Sequence, residues 1–147
     1  MLLDQLQADL KNAQLAREEV KVSTLRLLLS EIKNGEISKG ANLSDEDIIS
    51  VIQREVKKRK EAAAGFRSGG REESAVKEES ESKTLEAYLP EQLSNEELTK
   101  LVEESITELG ASSPADMGKV IGAVMGKVKG KAAGGAVSSL VKEKLSK

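Results

Sequence analysis

The chain has 147 residues, of which 33% are charged and 38% hydrophobic, and its formal net charge is −2. It contains no Cys, His or Trp, which excludes disulfides, thiol and imidazole catalysis, and the usual ligands of zinc, haem and iron–sulfur clusters. Leu, Glu, Lys and Ala dominate without alternating β-forming runs, so the composition predicts an all-α fold.

Four helices are predicted in the first 90 residues, because hydrophobic residues recur there at helical spacing. They cover approximately residues 2–18, 20–34, 45–69 and 71–88. Gly35 is interpreted as the C-cap of the second helix, with continuation of the helix to Ile37 as the alternative, and Ser44 as the N-cap of the third. The fourth helix is nearly polar, with Val76 and Leu85 among its few apolar anchors, so we expect it to lie at the periphery and to fray.

Three more helices are predicted in the remainder of the chain. They cover approximately residues 95–109, 114–130 and 135–145. Ser94 opens the first of them with a capping-box pattern. Pro90 disfavours helical geometry in the residue before it, so we expect the domain boundary there. The predicted organisation is a four-helix N-terminal domain, residues 1–90, and a three-helix C-terminal domain, residues 91–147.

Charge is unevenly distributed within the predicted C-terminal domain. Residues 91–113 hold six acids and a single Lys, whereas residues 114–147 hold seven lysines and two acids. Such an asymmetry favours a polyanionic partner for the basic end of the chain.

The N-terminal residues have neither the basic start nor the apolar run of a signal peptide, and no stretch has the composition of a transmembrane helix. Because Cys is also absent, we expect a cytoplasmic protein without membrane association and without a cofactor. Asp45, Glu46 and Asp47 are interpreted as acids that favour a helix start rather than as magnesium ligands, so no metal site is expected.

Several separate stretches together resemble the GatB/YqeY family. In the N-terminal part these are Leu25-Arg26 with Glu31-Ile32-Lys33-Asn34, and Tyr88-Leu89-Pro90-Glu91-Gln92-Leu93. In the tail they are Met117-Gly118-Lys119-Val120-Ile121-Gly122 and Lys129-Gly130-Lys131-Ala132. Their order and spacing fit over essentially the whole chain, and the tail motif is the most specific part.

The resemblance to free-standing members of this family implies an all-helical protein of two domains. It also implies a relationship to the C-terminal domain of the B subunit of glutamine-dependent aminoacyl-tRNA amidotransferase, where that domain contacts tRNA. Free-standing members are described by inheritance as carbon–nitrogen ligases with glutamine as amido-N-donor. The resemblance therefore implies tRNA or another structured RNA as a partner.

The sixth predicted helix carries the main candidate site. Gly118, Gly122 and Gly126 share one flank of the helix, beside its predicted buried stripe. Each interior Gly costs about 1 kcal/mol of helix stability relative to Ala, so the three cost roughly 3 kcal/mol. One interpretation is close packing of the fifth or seventh helix over the glycines. The other is the approach of a phosphate backbone, with Lys119 and Lys129 as its partners.

The candidate nucleic-acid-binding residues are Gly118, Lys119, Gly122, Gly126, Lys127, Lys129, Gly130, Lys131 and Lys142. A solvated charged face is the alternative interpretation of the lysines. No aromatic residue lies in this domain, so we expect contacts to phosphates and to RNA shape rather than base stacking. Arg26 and Lys33 share a flank of the second helix and form a second candidate anion contact, unless they pair with acids of a neighbouring helix.

No catalytic residues are expected, because the chain has no amidase-type Ser–Ser–Lys set, Gly-rich phosphate loop or Gly-x-Ser-x-Gly elbow. The preferred hypothesis is a non-catalytic helical module that associates with tRNA or other RNA. The alternatives are a protein-binding adaptor, and an accessory subunit of a carbon–nitrogen ligase that uses glutamine.

Overall fold

A computed structural model describes residues 1–146, and the regular structure within them is entirely helical. The α-helices are α1 (Leu2–Leu15), α2 (Glu19–Lys39), α3 (Asp45–Ser68), α4 (Glu72–Glu86), α5 (Asn95–Leu109), α6 (Met117–Val128) and α7 (Gly134–Leu145). A 3₁₀ turn, Pro114–Asp116, precedes α6. The predicted all-α class is therefore confirmed.

Two compact units divide the chain, an N-terminal unit of Met1–Leu89 and a C-terminal unit that begins at Pro90. The N-terminal unit contains α1 to α4 around a core of aliphatic side chains. That core consists of Leu6, Leu25, Leu28, Ile32, Ile48, Val51, Ile52, Val56 and Leu85. Because these residues come from all four helices, the four helices form a single hydrophobic core.

The polarity of the fourth helix, α4, predicts a peripheral position, but the structure packs this helix against the others. It packs along α3 over much of its length, and it buries Ala75 and Leu85 completely whereas Val76 is exposed. A buried ion pair adds to the contact, because the Arg59 guanidinium on α3 is paired with the Glu81 carboxylate of α4. A helix with little apolar surface is thus held by a few buried side chains, this buried ion pair and further, exposed ion pairs between the same two helices.

The second helix, α2, continues past the predicted cap at Gly35. It ends at Lys39, and Gly40 adopts the left-handed conformation at φ 74° that closes it. Gly35 lies inside the helix, and a Cβ added there would stand 3.0 Å from Cδ1 of Leu43. Glycine at this position permits close packing of the following loop rather than termination of the helix.

The first helix, α1, ends at Leu15, three residues before its predicted end. Arg17 adopts a left-handed backbone at φ 57°, its N–H donates to the Gln14 carbonyl, and the Glu18 N–H donates to the Ala13 carbonyl. These two bonds form a Schellman motif, in which Gly normally occupies the left-handed position. A side chain in that conformation costs about 1 to 2 kcal/mol.

Both predicted N-caps are confirmed, since Ser44 and Ser94 each form a reciprocal capping box with the residue three positions later. At α3 the partner is Asp47, whose carboxylate also accepts a hydrogen bond from Lys39 Nζ at 2.8 Å. The Lys39 bond and then the Ser44 bonds hold the pKa of Asp47 below its ordinary value. The stabilisation that the ionised Asp47 carboxylate gives to the start of α3 is therefore present at neutral pH, and it is lost on acidification through that lowered pKa.

The C-terminal unit packs α5, α6 and α7 around a second aliphatic core. Its buried members are Leu98, Val102, Val120, Val124, Val128, Ala132, Val137, Val141 and Leu145. The segment before α5 is attached to the α6–α7 loop, because the Leu93 N–H donates to the Lys131 carbonyl at 2.8 Å. Gln92 Nε2 also donates to the Gly130 carbonyl, at 3.0 Å.

Limited digestion with a Glu-specific protease should cut first after Glu91. This exposed residue lies in the non-helical segment at the start of the C-terminal unit, before the hydrogen bonds of Gln92 and Leu93, whereas most other Glu residues are protected within helices. Mass spectrometry should detect fragments of residues 1–91 and 92–147. A Glu91→Gln variant should lose this early cut, and first cleavage within residues 20–34 would contradict the proposed organisation.

Candidate nucleic-acid interface

The three glycines of α6 form an exposed, open surface, which we call the glycine face (Gly118, Gly122 and Gly126). All three are solvent-exposed, and a Cβ added to any of them would have no neighbouring heavy atom within 4 Å. Neither α5 nor α7 therefore packs over the glycines, which excludes that explanation of their presence.

The orientation of α6 follows from its valines. Val120, Val124 and Val128 recur every four residues and are completely buried against α5 and α7. This burial turns the intervening small residues outward. From Gly118 to Gly126 the helix rises about 12 Å, so the glycine face is a side-chain-free strip of that length.

Two lysines of the C-terminal unit, one of them a predicted contact residue, are engaged within the unit. The Lys127 ammonium donates to Ser105 Oγ at 3.1 Å and to the Glu108 carboxylate at 2.9 Å, both on α5. Lys144 on α7 pairs with Glu103 at 2.9 Å, and this hydrogen bond raises the pKa of Lys144. These contacts neutralise part of the acidic α5, so Lys127 has a structural partner rather than an unengaged ammonium.

Four other lysines have exposed side chains that make no hydrogen bond or ion pair with any residue in the described part of the chain. They are Lys119, Lys129, Lys131 and Lys142. Lys119 lies on α6 beside the glycine face, three residues before Gly122, and residues at this spacing are neighbours on a helix surface. Lys142 is on α7, and no contact joins its side chain to the glycine face.

Lys129 lies outside the glycine face. A helix that continued to residue 130, as predicted, would have placed Lys129 on the same flank as the glycines. The helix ends at Val128, and Lys129 itself adopts the left-handed conformation at φ 43°. Gly130 follows at φ 84°, and its carbonyl accepts the Gln92 side chain. Lys129 and Lys131 thus belong to the loop that follows the C-terminal end of the glycine face, and Gly130 shapes that loop.

The second candidate contact, Arg26 with Lys33, lies on α2 in the N-terminal unit. Both side chains are exposed, and neither pairs with an acid among residues 1–146, contrary to the alternative interpretation. Arg26 shares an open cleft with Arg17 rather than with Lys33. Arg17 is not among the predicted site residues, because the hydrophobic periodicity places it inside the first helix.

Neither a metal cluster nor a membrane-spanning helix occurs within residues 1–146. No group of three or more Asp or Glu side chains there is arranged to hold a metal ion. No helix of this range combines the length and the apolar content needed to cross a membrane.

Comparison with known proteins gives a family match over nearly the whole chain. The family model described as Yqey-like protein matches residues 3–145. An uncharacterized protein of Schizosaccharomyces pombe is 40% identical over 80 residues, which is 54% of this chain and 65% of that protein. The Altered inheritance of mitochondria protein 41, mitochondrial, of Kluyveromyces lactis is 38% identical over 114 residues, or 75% of this chain and 61% of that protein.

A third relative has the same printed name. In Clavispora lusitaniae, Altered inheritance of mitochondria protein 41, mitochondrial, is 33% identical over 114 residues, which is 76% of this chain and 66% of that protein. The chain thus spans only about 61% to 66% of the length of these three relatives.

The predicted cytoplasmic location is wrong on this finding, because two of these three relatives are named as mitochondrial proteins. The prediction relied on the absence of Cys and of a secretory signal. Those features argue against an oxidising, secreted environment, but they do not distinguish one reducing compartment from another.

Proposed function

Because the chain belongs to the Yqey-like protein family, we propose that its C-terminal unit is a non-catalytic module that binds tRNA or another structured RNA. The contact runs along the glycine face of α6, where the RNA backbone approaches the helix closely. The observation that carries the proposal is the open glycine face itself, which lowers helix stability and packs against no atom within 4 Å.

The charges around the glycine face support a phosphate contact. Lys119 lies beside the glycines and Lys129 follows them in the loop, and neither ammonium has an intramolecular partner within residues 1–146. The absence of Tyr, Trp and Phe from residues 90–147 disfavours base stacking. The unit therefore binds through backbone charge and shape, which positions RNA without reading its sequence.

A protein-binding adaptor is the second candidate function. Glycines spaced by four residues also permit close approach of another helix, and Met125 beside them is 36% exposed. An apolar contact of this kind loses little affinity when salt is added, whereas phosphate contacts lose much. An accessory role in glutamine-dependent amide transfer would require a partner enzyme, because residues 1–146 hold no activated nucleophile.

Lys119→Ala and Lys129→Ala should each lower the affinity for tRNA and reduce the slope of log affinity against log salt by about one. Each variant removes one phosphate contact and leaves the core unchanged. Fluorescence anisotropy with labelled tRNA, measured from about 50 to 200 mM salt, gives both quantities.

Lys100→Ala is the matched control for these variants. Lys100 is an exposed lysine on α5, and its side chain makes no hydrogen bond or ion pair with another described residue. Its replacement should leave the salt slope unchanged. An equal effect of all three substitutions, or tRNA binding that does not respond to salt, would contradict the proposed contact and favour the adaptor.

A further inference from the structure

An open cleft lies at the turn between α1 and α2 in the N-terminal unit. It has a volume of about 320 Å³ and is lined by Gln14, Arg17, Glu19, Val22, Ser23 and Arg26. That volume is at the lower end of the range for small-molecule sites, roughly 300 to 1,000 Å³, and exceeds what one small anion needs. Two arginines line it together with a single carboxylate, so its charge is positive.

The cleft arginines differ from the arginines that stabilise the fold. Arg59 pairs with Glu78 and Glu81, and Arg67 pairs with Glu72 and Glu79. The side chains of Arg17 and Arg26 make no hydrogen bond or ion pair with any residue from 1 to 146, although Glu18 and Glu19 lie in the same turn. Their guanidinium groups therefore have no role in holding the helices together.

The turn that carries Arg17 is fixed by the Schellman motif at the end of α1, in which Arg17 adopts a left-handed backbone at φ 57°. The first turn of α2 also has no side-chain cap on its N–H groups, and the positive end of the helix dipole adds to the field of the two arginines.

We propose that this cleft binds a phosphate group between the guanidinium groups of Arg17 and Arg26. The planar donors of Arg match the oxygens of a phosphate, and the Gln14 amide supplies a further donor. Ser23 does not donate to the ligand, because its hydroxyl donates to the Val20 carbonyl. Glu19 opposes the anion and limits its affinity. The phosphate belongs either to an RNA backbone or to a small phosphorylated molecule.

Titration of the full chain with inorganic phosphate, followed by NMR, tests the cleft directly. We expect saturable shifts of the amides around the α1–α2 turn. Arg26→Gln and Arg17→Gly should each weaken phosphate binding about tenfold, because each removes a charged donor. Arg17→Gly also suits the left-handed backbone, so the variant should fold at least as well as the native chain. Glu19→Gln should tighten binding.

Arg54→Gln is the matched control, since Arg54 is an exposed arginine on α3 with no side-chain partner in the described residues. It should bind phosphate as the native chain does. The proposal is overturned if phosphate causes no saturable shift at the turn. It is also overturned if Arg17→Gly and Arg26→Gln bind as tightly as Arg54→Gln.

The source of the phosphate is decided by repeating the measurement with tRNA. If the RNA backbone supplies it, Arg26→Gln should lower the tRNA affinity and inorganic phosphate should compete with tRNA. If a small molecule supplies it, the tRNA affinity should be unchanged while phosphate binding still requires both arginines. The inference is independent of the glycine face, because Lys119→Ala should leave phosphate binding at the cleft unaltered.

Discussion

Glu81→Ala is expected to lower the free energy of unfolding of the N-terminal unit by about 3 kcal/mol. Glu81 is only 6% exposed and Arg59 only 8% exposed, so the substitution leaves a buried guanidinium without its main counter-charge. Glu78 lies 3.4 Å from the same guanidinium and compensates in part. The Arg59 Nε already lacks a partner, which makes any further loss costly.

Tyrosine fluorescence during urea unfolding measures this effect, because Tyr88 is the one Tyr in a chain without Trp and lies in the N-terminal unit. Glu73→Ala on the exposed side of α4 is the control and should change stability by less than about 0.5 kcal/mol. The double variant Arg59→Met/Glu81→Leu should recover most of the loss, since an apolar pair replaces the ion pair. If Glu81→Ala and Glu73→Ala behaved alike, the buried ion pair would not be what holds α4.

This ion pair explains why the sequence pattern wrongly predicted a peripheral position for α4. Arg59 belongs to the basic run at residues 57–60, which has the composition of a solvated face. Its partner Glu81 is 22 residues away on another helix. Helical periodicity predicts buried positions from hydrophobicity alone, so it cannot identify a buried charge whose partner is distant in sequence. The low apolar content of α4 therefore predicted an exposed helix, although Glu81 of that helix is buried and paired with Arg59.

Helix boundaries were predictable where the signal was local. Ser44 and Ser94 cap α3 and α5 as predicted, because a capping box needs only residues within one turn. Gly35 was misread because its close neighbour Leu43 lies in the following loop. Arg17 was missed because an arginine in the left-handed position of a helix cap is uncommon.

The candidate site also combines features that the local sequence predicts with features that depend on how the helices pack. Periodicity correctly predicted the buried valines of α6 and, with them, the shared flank of the glycines. It placed Lys129 inside a helix predicted to extend to about residue 130, whereas α6 ends at Val128 and Lys129 adopts a left-handed backbone after it. It also could not predict that Lys127 pairs with Glu108, since that contact depends on how α5 packs against α6.

Replacing Gly118, Gly122 and Gly126 together by Ala should stabilise the C-terminal unit by about 2 to 3 kcal/mol. All three residues lie in a helix with open space where the new methyl groups would stand. The same variant should weaken tRNA binding by on the order of tenfold, or about 1.4 kcal/mol, because the methyl groups hold the phosphate backbone away from the helix. The lysines are unchanged, so the salt slope should fall less than in the lysine variants.

Amide hydrogen exchange of the buried α6 valines measures the stability of this unit separately from the rest of the chain. Gly65→Ala is the matched control, because Gly65 is an exposed glycine within α3 that also has no atom within 4 Å of an added Cβ. It should stabilise its own helix by about 1 kcal/mol and leave the tRNA affinity unchanged. A triple-alanine variant that is more stable and still binds tRNA normally would exclude the glycine face as the RNA contact. A structural role for the glycines cannot produce higher stability together with weaker tRNA binding. If the glycines were needed for helix packing, replacing them by Ala would overpack the contact and lower the stability.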